Sequence, residues 1–306
     1  MKTTLPKVIR IEPSSVCNLY CRHCPTGIIR HNNINYNADI MSLEFFDLLV
    51  AQIAEHLKTI KVIVLYHGGE PLINKKMPFM VQRLKEIGVE FIKTVSNGML
   101  LNDEVCFELI IAGLDEIEIS IDGRTENENN FIRRGSDTKK IITAIKRLIS
   151  IKNMYKSVTP NISLSSTQFV ENSFPSFLYE TLEKEIQTGQ IKEIKTVRAM
   201  KWFDMGMASD ESPDFEYTGT QGAKIERFCD SLENTMTIRS AGEVVACCYD
   251  LTSKIIFGDA KKEKLIDIWY GEKRKEILDS VRNGTPGKYC LKCNAINPGY
   301  FLKLKS

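Results

Sequence analysis

The sequence predicts an α/β fold in which short parallel strands alternate with helices. Two observations carry this expectation. Six runs rich in Val, Ile and Thr, each too short for a helix, recur between residues 8 and 200. The stretches between them have helical spacing, which is the βαβ arrangement of a parallel sheet. Eight such units would close a full barrel; six leave either an open doubly wound sheet or a partial barrel. In both, ligands gather beyond the C-terminal ends of the strands.

The strand candidates, in order, are VIRIE (8–12), VIVLY (62–66), FIKTV (91–95), EIEISI (116–121), ISLSST (162–167) and IKTVRAM (194–200). The clearest helix follows Ser42, where Leu43, Phe46, Val50, Ile53, Leu57 and Ile60 form one apolar stripe. Further helices are expected at 75–87, 102–112, 138–151 and 175–187. Gly88 and Gly113 stand where helices would end, and Asn102 and Thr138 where they would be capped. Cys106, inside VCFELIIAGL, reads as core packing. Residues 201–226 are polar and aperiodic, a linker or substrate loop. After them, TMTIRSAGEVVACC reads as a hairpin turning at Ala241-Gly242, followed by a helix at 263–282 and a YCLKC knuckle. The expected organisation is thus a core at 1–200, a linker at 201–226 and a small unit at 227–306.

Forty-one basic and thirty-nine acidic residues nearly cancel, so the chain lacks the charge excess that holds nucleic-acid phosphates. MKTTLPKVIR is not a signal peptide, and no run approaches the roughly 18 apolar residues of a membrane span. A cytoplasmic location follows as an expectation, and with it reduced thiols. Nine cysteines then need an explanation other than disulfides.

Three of them lie in VCNLYCRHCP: Cys17, Cys21 and Cys24. Structural zinc wants four closed ligands. A 4Fe–4S cluster is held by thiolates, and C-x3-C-x2-C can wrap three of its corners, leaving one iron open to a small molecule. Other segments fall at successive strand ends: HGGEP (67–71), SNG (96–98), SIDG (120–123) and then FIRRG (131–135). Two glycines allow close backbone approach to a ligand, and Glu70 suits an ammonium group. A second group of cysteines, Cys229, Cys247, Cys248, Cys290 and Cys293, lies near the end of the chain. Its final C-x2-C suits zinc or an iron–sulfur cluster.

On CNLYCRHC and HGGEP the chain resembles the radical S-adenosylmethionine (SAM) superfamily, with His23 where an aromatic residue is usual. The resemblance implies a partial (β/α)6 barrel of TIM type. It implies a SAM-ligated 4Fe–4S cluster on Cys17, Cys21 and Cys24, and SAM contacts from His23, Gly68, Gly69, Glu70, Pro71, Asn97, Ser120, Asp122 and Arg133. The back spacing resembles the twitch form of the SPASM domain, which implies a second 4Fe–4S cluster on Cys229, Cys247, Cys290 and Cys293. In size and spacing the chain is similar to 2-deoxy-scyllo-inosamine dehydrogenase-like radical SAM enzymes.

The expected activity is reductive cleavage of SAM to a 5′-deoxyadenosyl radical, which takes hydrogen from a small sugar- or cyclitol-like substrate. Oxidation of a secondary alcohol is expected, with the second cluster accepting the electron. The alternatives are an epimerase, in which Cys248 donates hydrogen from the opposite strand face, and a maturase of ribosomal peptides. A flavodoxin- or ferredoxin-type electron donor is implied. Asp122, Arg198, Asp204 and Tyr249 are candidate proton acceptors by position, and His67, the first residue of HGGEP, faces the active-site edge, either as a contact to substrate or SAM or as a packed residue with one hydrogen bond. Trp202 and Phe203 follow the sixth strand, where aromatics serve as pocket wall or as core.

Overall fold

The computed structural model describes residues 4–34, 38–200, 214–218, 225–291, 293–299 and 301–305. Six parallel strands form its centre: β1 (Val8–Ile11), β2 (Val62–Leu65), β3 (Ile92–Ser96), β4 (Glu116–Ser120), β5 (Asn161–Gln168) and β6 (Ile191–Arg198). They lie side by side in chain order, each pair parallel. This is the partial barrel rather than the doubly wound sheet, in which chain order would reverse. Each expected strand is present, with ends moved by at most three residues.

The helices are α1 (Pro25–His31), α2 (Leu43–Ala54), α3 (Met77–Glu86), α4 (Asp103–Ile111), α5 (Glu126–Ile132), α6 (Thr138–Met154), α7 (Ser176–Thr181) and α8 (Glu183–Gln187). Ser42 and Asn102 cap α2 and α4 by accepting from Phe45 N–H and Val105 N–H. Gly88 and Gly113 follow α3 and α4 with φ of +92° and +85°, the left-handed geometry that suits glycine. For α6 the cap is Asp137, not Thr138: the aspartate accepts from Lys140 N–H, while the Thr138 hydroxyl is buried against Asn129 and Asn130. The expected helix at 175–187 is two short ones.

Alternation sorts the strand residues. Ile9, Ile11, Ile63, Leu65, Ile117, Ile119, Ile162 and Leu164 are fully buried in one core with the helices, and Cys106 joins them. Their neighbours face the barrel interior and are largely polar.

The C-terminal part comprises β7 (Phe215–Thr218), α9 (Asp230–Asn234), β8 (Thr235–Ile238), β9 (Glu243–Val245), β10 (Ile256–Asp259), α10 (Leu265–Tyr270), α11 (Glu272–Arg282), α12 (Lys288–Leu291) and β11 (Phe301–Leu304). The hairpin β8–β9 turns where the sequence predicts, with Gly242 at φ +111°. It is not a detached unit: β8 pairs in parallel with β1, so one nine-stranded sheet runs β10-β9-β8-β1-β2-β3-β4-β5-β6. The expected helix at 263–282 breaks at Gly271 into α10 and α11. Trp202, Phe203, Asp204 and most of the 201–226 segment lie outside the described residues. Among the described residues no helix is long and apolar enough to cross a membrane.

Candidate functional site

The loop after β1 and the ends of β2, β3 and β4 enclose one pocket. Cys17, Cys21, Cys24, His23, Gly68, Gly69, Glu70, Asn97, Ser120 and Arg133 line it, together with Thr26, His67 and Leu251. Of the residues predicted to bind SAM, only Pro71 and Asp122 are not in the wall. Pro71 opens a buried 3-10 turn, and Asp122 lies behind Arg133 and His23.

The two glycines line the pocket and also allow a close approach of protein to protein. A Cβ on Gly69 would stand 2.2 Å from the carbonyl oxygen of Ser14 and 2.5 Å from that of Val16. A Cβ on Gly68 would meet Glu12 Oε1 at 2.9 Å. They let the segment after β2 press against the cysteine loop itself. Glu70 N–H then donates to the Val16 carbonyl at 2.8 Å, tying the two segments.

The Glu70 carboxylate is 2% exposed and mostly engaged within the protein. It accepts from Ser96 Oγ–H and Asn97 N–H at 2.8 Å and from Leu72 N–H at 3.2 Å. Burial raises its pKa against these donors. Asn97 in turn donates to Asn18 Oδ1 at 2.8 Å, beside Cys17. HGGEP and SNG are therefore one hydrogen-bonded unit.

Asp122 is ionised despite burial, because Arg133 donates to it at 2.8 Å and Thr167 N–H at 2.9 Å. His23 packs edge-on against Phe169, and burial pushes its pKa down to about 4. His67, 2% exposed, is likewise pushed down to about 4 by burial. Its Nε2 lies 3.2 Å from the Asp250 carbonyl. His23 Nδ1, His67 Nδ1 and Arg133 Nε are buried and find no hydrogen-bond partner among the described residues.

Glu12, fully buried at the end of β1, joins this pocket to the hairpin. Its carboxylate accepts from Gly68 N–H at 2.8 Å, from Ser240 N–H and Oγ–H at 3.1 Å, and from Arg239 Nε–H at 3.3 Å. Burial opposes its charge, but Arg239 leads the groups that hold its pKa below the usual value. Glu12 ends the first predicted strand and lies outside every functional motif of the sequence, so no local signal marks its role.

The back cysteines come from separate elements. Cys229 precedes α9, Cys290 lies in α12, and Cys293 N–H donates to the Cys290 carbonyl at 3.1 Å. Burial and then neighbouring thiols resist ionisation: Cys290 is pushed up to about 12, with Cys293 and Cys229 contributing, and Cys293 to about 11, with Cys229 and Cys248 contributing. Strand β9 ends at Val245, so Cys247 and Cys248 lie in the turn beyond it. Strand alternation therefore does not separate them. Cys248 Sγ is 3.7 Å from Ser231 Oγ, near Cys229. Of the other proton-acceptor candidates, Arg198 is engaged with Glu171 and the Phe301 ring, and burial with the nearby thiols keeps Tyr249 protonated.

All nine cysteines are free. Burial opposes ionisation of Cys17 and Cys21 despite the nearby Arg133, and of Cys290 and Cys293 among their neighbouring thiols; a bound metal supplies the positive charge that stabilises thiolates. Among the described residues no trio of side chains converges to hold a single metal ion.

Comparison with known proteins agrees with this architecture. Residues 11–160 match the Radical SAM superfamily, and residues 229–294 match SPASM, an iron–sulfur cluster-binding domain. A GTP 3′,8-cyclase of Peptoclostridium acidaminophilum is 30% identical over 185 residues, 58% of this chain and 52% of that protein. One from Clostridium botulinum is 32% identical over 148 residues, 47% of this chain and 43% of that protein. The chain thus spans about half the length of the curated relatives it matches. In fold it is similar to BtrN, solved with AdoMet and 2-DOIA: TM-score 0.58, 16% identity, 95% of this chain and 94% of that one. It is also similar to Streptococcus suis SuiB, solved with the precursor peptide SuiA: TM-score 0.59, 13% identity, 95% of this chain and 71% of that one. With a three-cysteine pocket at the barrel rim and a second cysteine group behind it, residues 11–160 are a radical SAM domain and residues 229–294 a SPASM domain, so that the cofactors are SAM and iron–sulfur clusters.

Proposed function

We propose that this radical SAM enzyme oxidises a secondary alcohol on a small polyhydroxylated substrate of sugar or cyclitol class, the back cluster receiving the electron. Cys17, Cys21 and Cys24 would hold the front cluster, and Cys229, Cys247, Cys290 and Cys293 the back one. The buried unpartnered atoms of His23, His67 and Arg133 fit a polar cofactor and substrate in the front pocket. Bound there, SAM and the front cluster supply a 5′-deoxyadenosyl radical able to take hydrogen from an unactivated C–H bond.

One observation carries the reading. The turn holding Cys247 and Cys248 continues directly into the wall of the front pocket: Leu251 lines it, and the Asp250 carbonyl holds His67. Redox partner and reaction site are thus adjacent. The barrel interior favours a hydroxylated ligand. Arg10, Ser163 and Thr237 alternate with core residues and so point inward, and Arg10 Nε, Ser163 Oγ and Thr237 Oγ1 find no partner among the described residues. Arg10 and Thr237 are register neighbours. We assign His67 Nδ1, neutral and unpartnered, as acceptor of the hydroxyl proton. The fold-level similarity to BtrN, solved with 2-DOIA, supports the substrate class.

The test is anaerobic turnover with a reductant, SAM and a panel of cyclitol and amino-sugar alcohols. One ketone per 5′-deoxyadenosine, with carbinol deuterium transferred, is expected. Product formation only with a purine nucleotide would favour instead a second reading, raised by the front-half identity to GTP 3′,8-cyclases. An inverted alcohol without net oxidation would favour the epimerase, with Cys248 as donor.

A further inference from the structure

Thr26 is 2% exposed, two residues beyond Cys24 and inside α1. Its hydroxyl meets the Gly68 carbonyl oxygen at 3.1 Å and the Cys24 sulfur at 3.1 Å. A hydroxyl has one hydrogen to give. While Cys24 is a thiol both contacts are satisfied, since S–H donates to Oγ1 and Oγ1–H donates to Gly68. A ligating cysteine has lost its proton. Its sulfur is then an acceptor, and two acceptors face one hydrogen.

The Gly68 carbonyl cannot withdraw. Gly68 N–H is held by Glu12 at 2.8 Å, and two residues on Glu70 N–H is held by the Val16 carbonyl at 2.8 Å. Sulfur is the acceptor that gains charge on ligation, and charge-assisted hydrogen bonds are the stronger ones. Among the described residues Thr26 is the one hydroxyl in contact with a front-loop sulfur; Cys17 Sγ has the backbone N–H of Leu19 at 3.4 Å and the Asn97 amide at 4.0 Å.

We propose that Thr26 is a positioning residue of the front cluster: on ligation its hydroxyl hydrogen turns from the Gly68 carbonyl to the Cys24 sulfur, and there it raises the reduction potential. Hydrogen bonds to cluster sulfurs are one of the levers that set such potentials. A donor stabilises the reduced, more negative cluster more than the oxidised one. The inference rests on the reading that Cys24 ligates the front cluster.

The test is an anaerobic reductive titration of the holoenzyme, followed by electron paramagnetic resonance, for the wild type, Thr26→Val and Thr26→Ser. Iron is counted first. The isosteric Thr26→Val should keep its iron and shift the front signal to more negative potential, with the back signal unmoved. Thr26→Ser, which keeps the hydroxyl, should titrate with the wild type. An unshifted Thr26→Val with full iron, or equal shifts in both variants, would overturn the inference. Should Thr26→Val lose iron, pulsed resonance on the reduced wild type in heavy water decides. An exchangeable deuteron coupled to the front cluster, retained in Thr26→Ser, is expected, and its absence overturns the proposal. A front cluster that survives Cys24→Ala would sink the ligand reading instead.

Discussion

The Nε2 atom of His67 lies 3.2 Å from the carbonyl oxygen of Asp250, across 183 residues of chain. A carbonyl only accepts, so Nε2 carries the hydrogen and Nδ1 is left with a lone pair. Burial keeps the ring neutral, with its pKa pushed down to about 4. One nitrogen therefore holds the turn after the back cysteine pair against the front pocket. The other remains able to take a proton. The same residue fixes the geometry between the two cysteine groups and supplies an acceptor where the substrate hydroxyl is proposed to sit.

That neutrality has a pH signature. The folded ring binds its proton more weakly than the unfolded one, whose ordinary pKa is 6.5. The unfolded chain therefore takes up the proton first as pH falls. The stability due to a neutral ring is complete above about pH 6.5 and is lost progressively down to about 4. His67→Gln retains an amide donor for Asp250 and should flatten this decline, by at most about 1.4 kcal/mol per pH unit. Urea unfolding of the holoenzyme, anaerobically, at pH 7.5, 6.5 and 5.5 checks this. A variant with the wild-type slope would mean that the folded ring takes up its proton as readily as the unfolded one.

Glu70→Gln should weaken SAM binding without unfolding the barrel. The change puts an NH2 group where the carboxylate now accepts from Ser96, Asn97 or Leu72. Two donors then face each other in a buried site, at a cost of roughly 1–3 kcal/mol. Because Asn97 hangs on this carboxylate, the β3 rim should shift with it. Equilibrium dialysis with SAM should show about tenfold weaker binding or more, and unchanged affinity would show that the unit tolerates the loss.

Much of this was legible in the sequence because it is local. Alternation and helical spacing located all six strands, and caps such as Ser42 and Asn102 depend on neighbours three residues away. The cysteine loop and the strand-end motifs were legible for the same reason. What was not legible depends on contacts between distant segments. Nothing in VIRIE says that β1 will pair with β8, or that Glu12 will be buried under Ser240. Gly68 and Gly69 were visible as close-approach positions, but nothing local showed that residues 12–16 would be among what approaches them. Cys247 and Cys248 do not alternate across a strand, because β9 stops at Val245, before the pair.

Glu12 should act on both halves of the molecule at once. Glu12→Gln keeps the shape but removes the charge that holds Arg239 and at least one of four hydrogen bonds. Hydrogen exchange in the holoenzyme should then quicken together at Gly68 and at the Arg239–Gly242 turn. Truncating a buried charge pair costs on the order of 3–5 kcal/mol, so a marked fall in thermal stability is also expected. Faster exchange on one side alone would show that the carboxylate serves that side only.

The back cysteine pair offers a sharper separation. Cys247 and Cys248 share one turn, and Cys248 acts electrostatically on two neighbouring thiols: Cys247 is raised by burial, then by Cys248 and Cys293, while Cys229 is raised by burial, with Cys248 contributing. If Cys247 is the ligand, Cys247→Ala should drop the iron content from about eight to about four per chain after anaerobic reconstitution, and Cys248→Ala should leave it unchanged. The front variant with Cys17, Cys21 and Cys24 all replaced by Ala should also fall to about four and lose 5′-deoxyadenosine formation, which both back variants retain. Iron lost from Cys248→Ala but not from Cys247→Ala would exchange their roles. It would also remove Cys248 as a hydrogen donor, since a ligating thiolate has no hydrogen atom to give, and would leave Cys247 as the free thiol that the epimerase alternative needs.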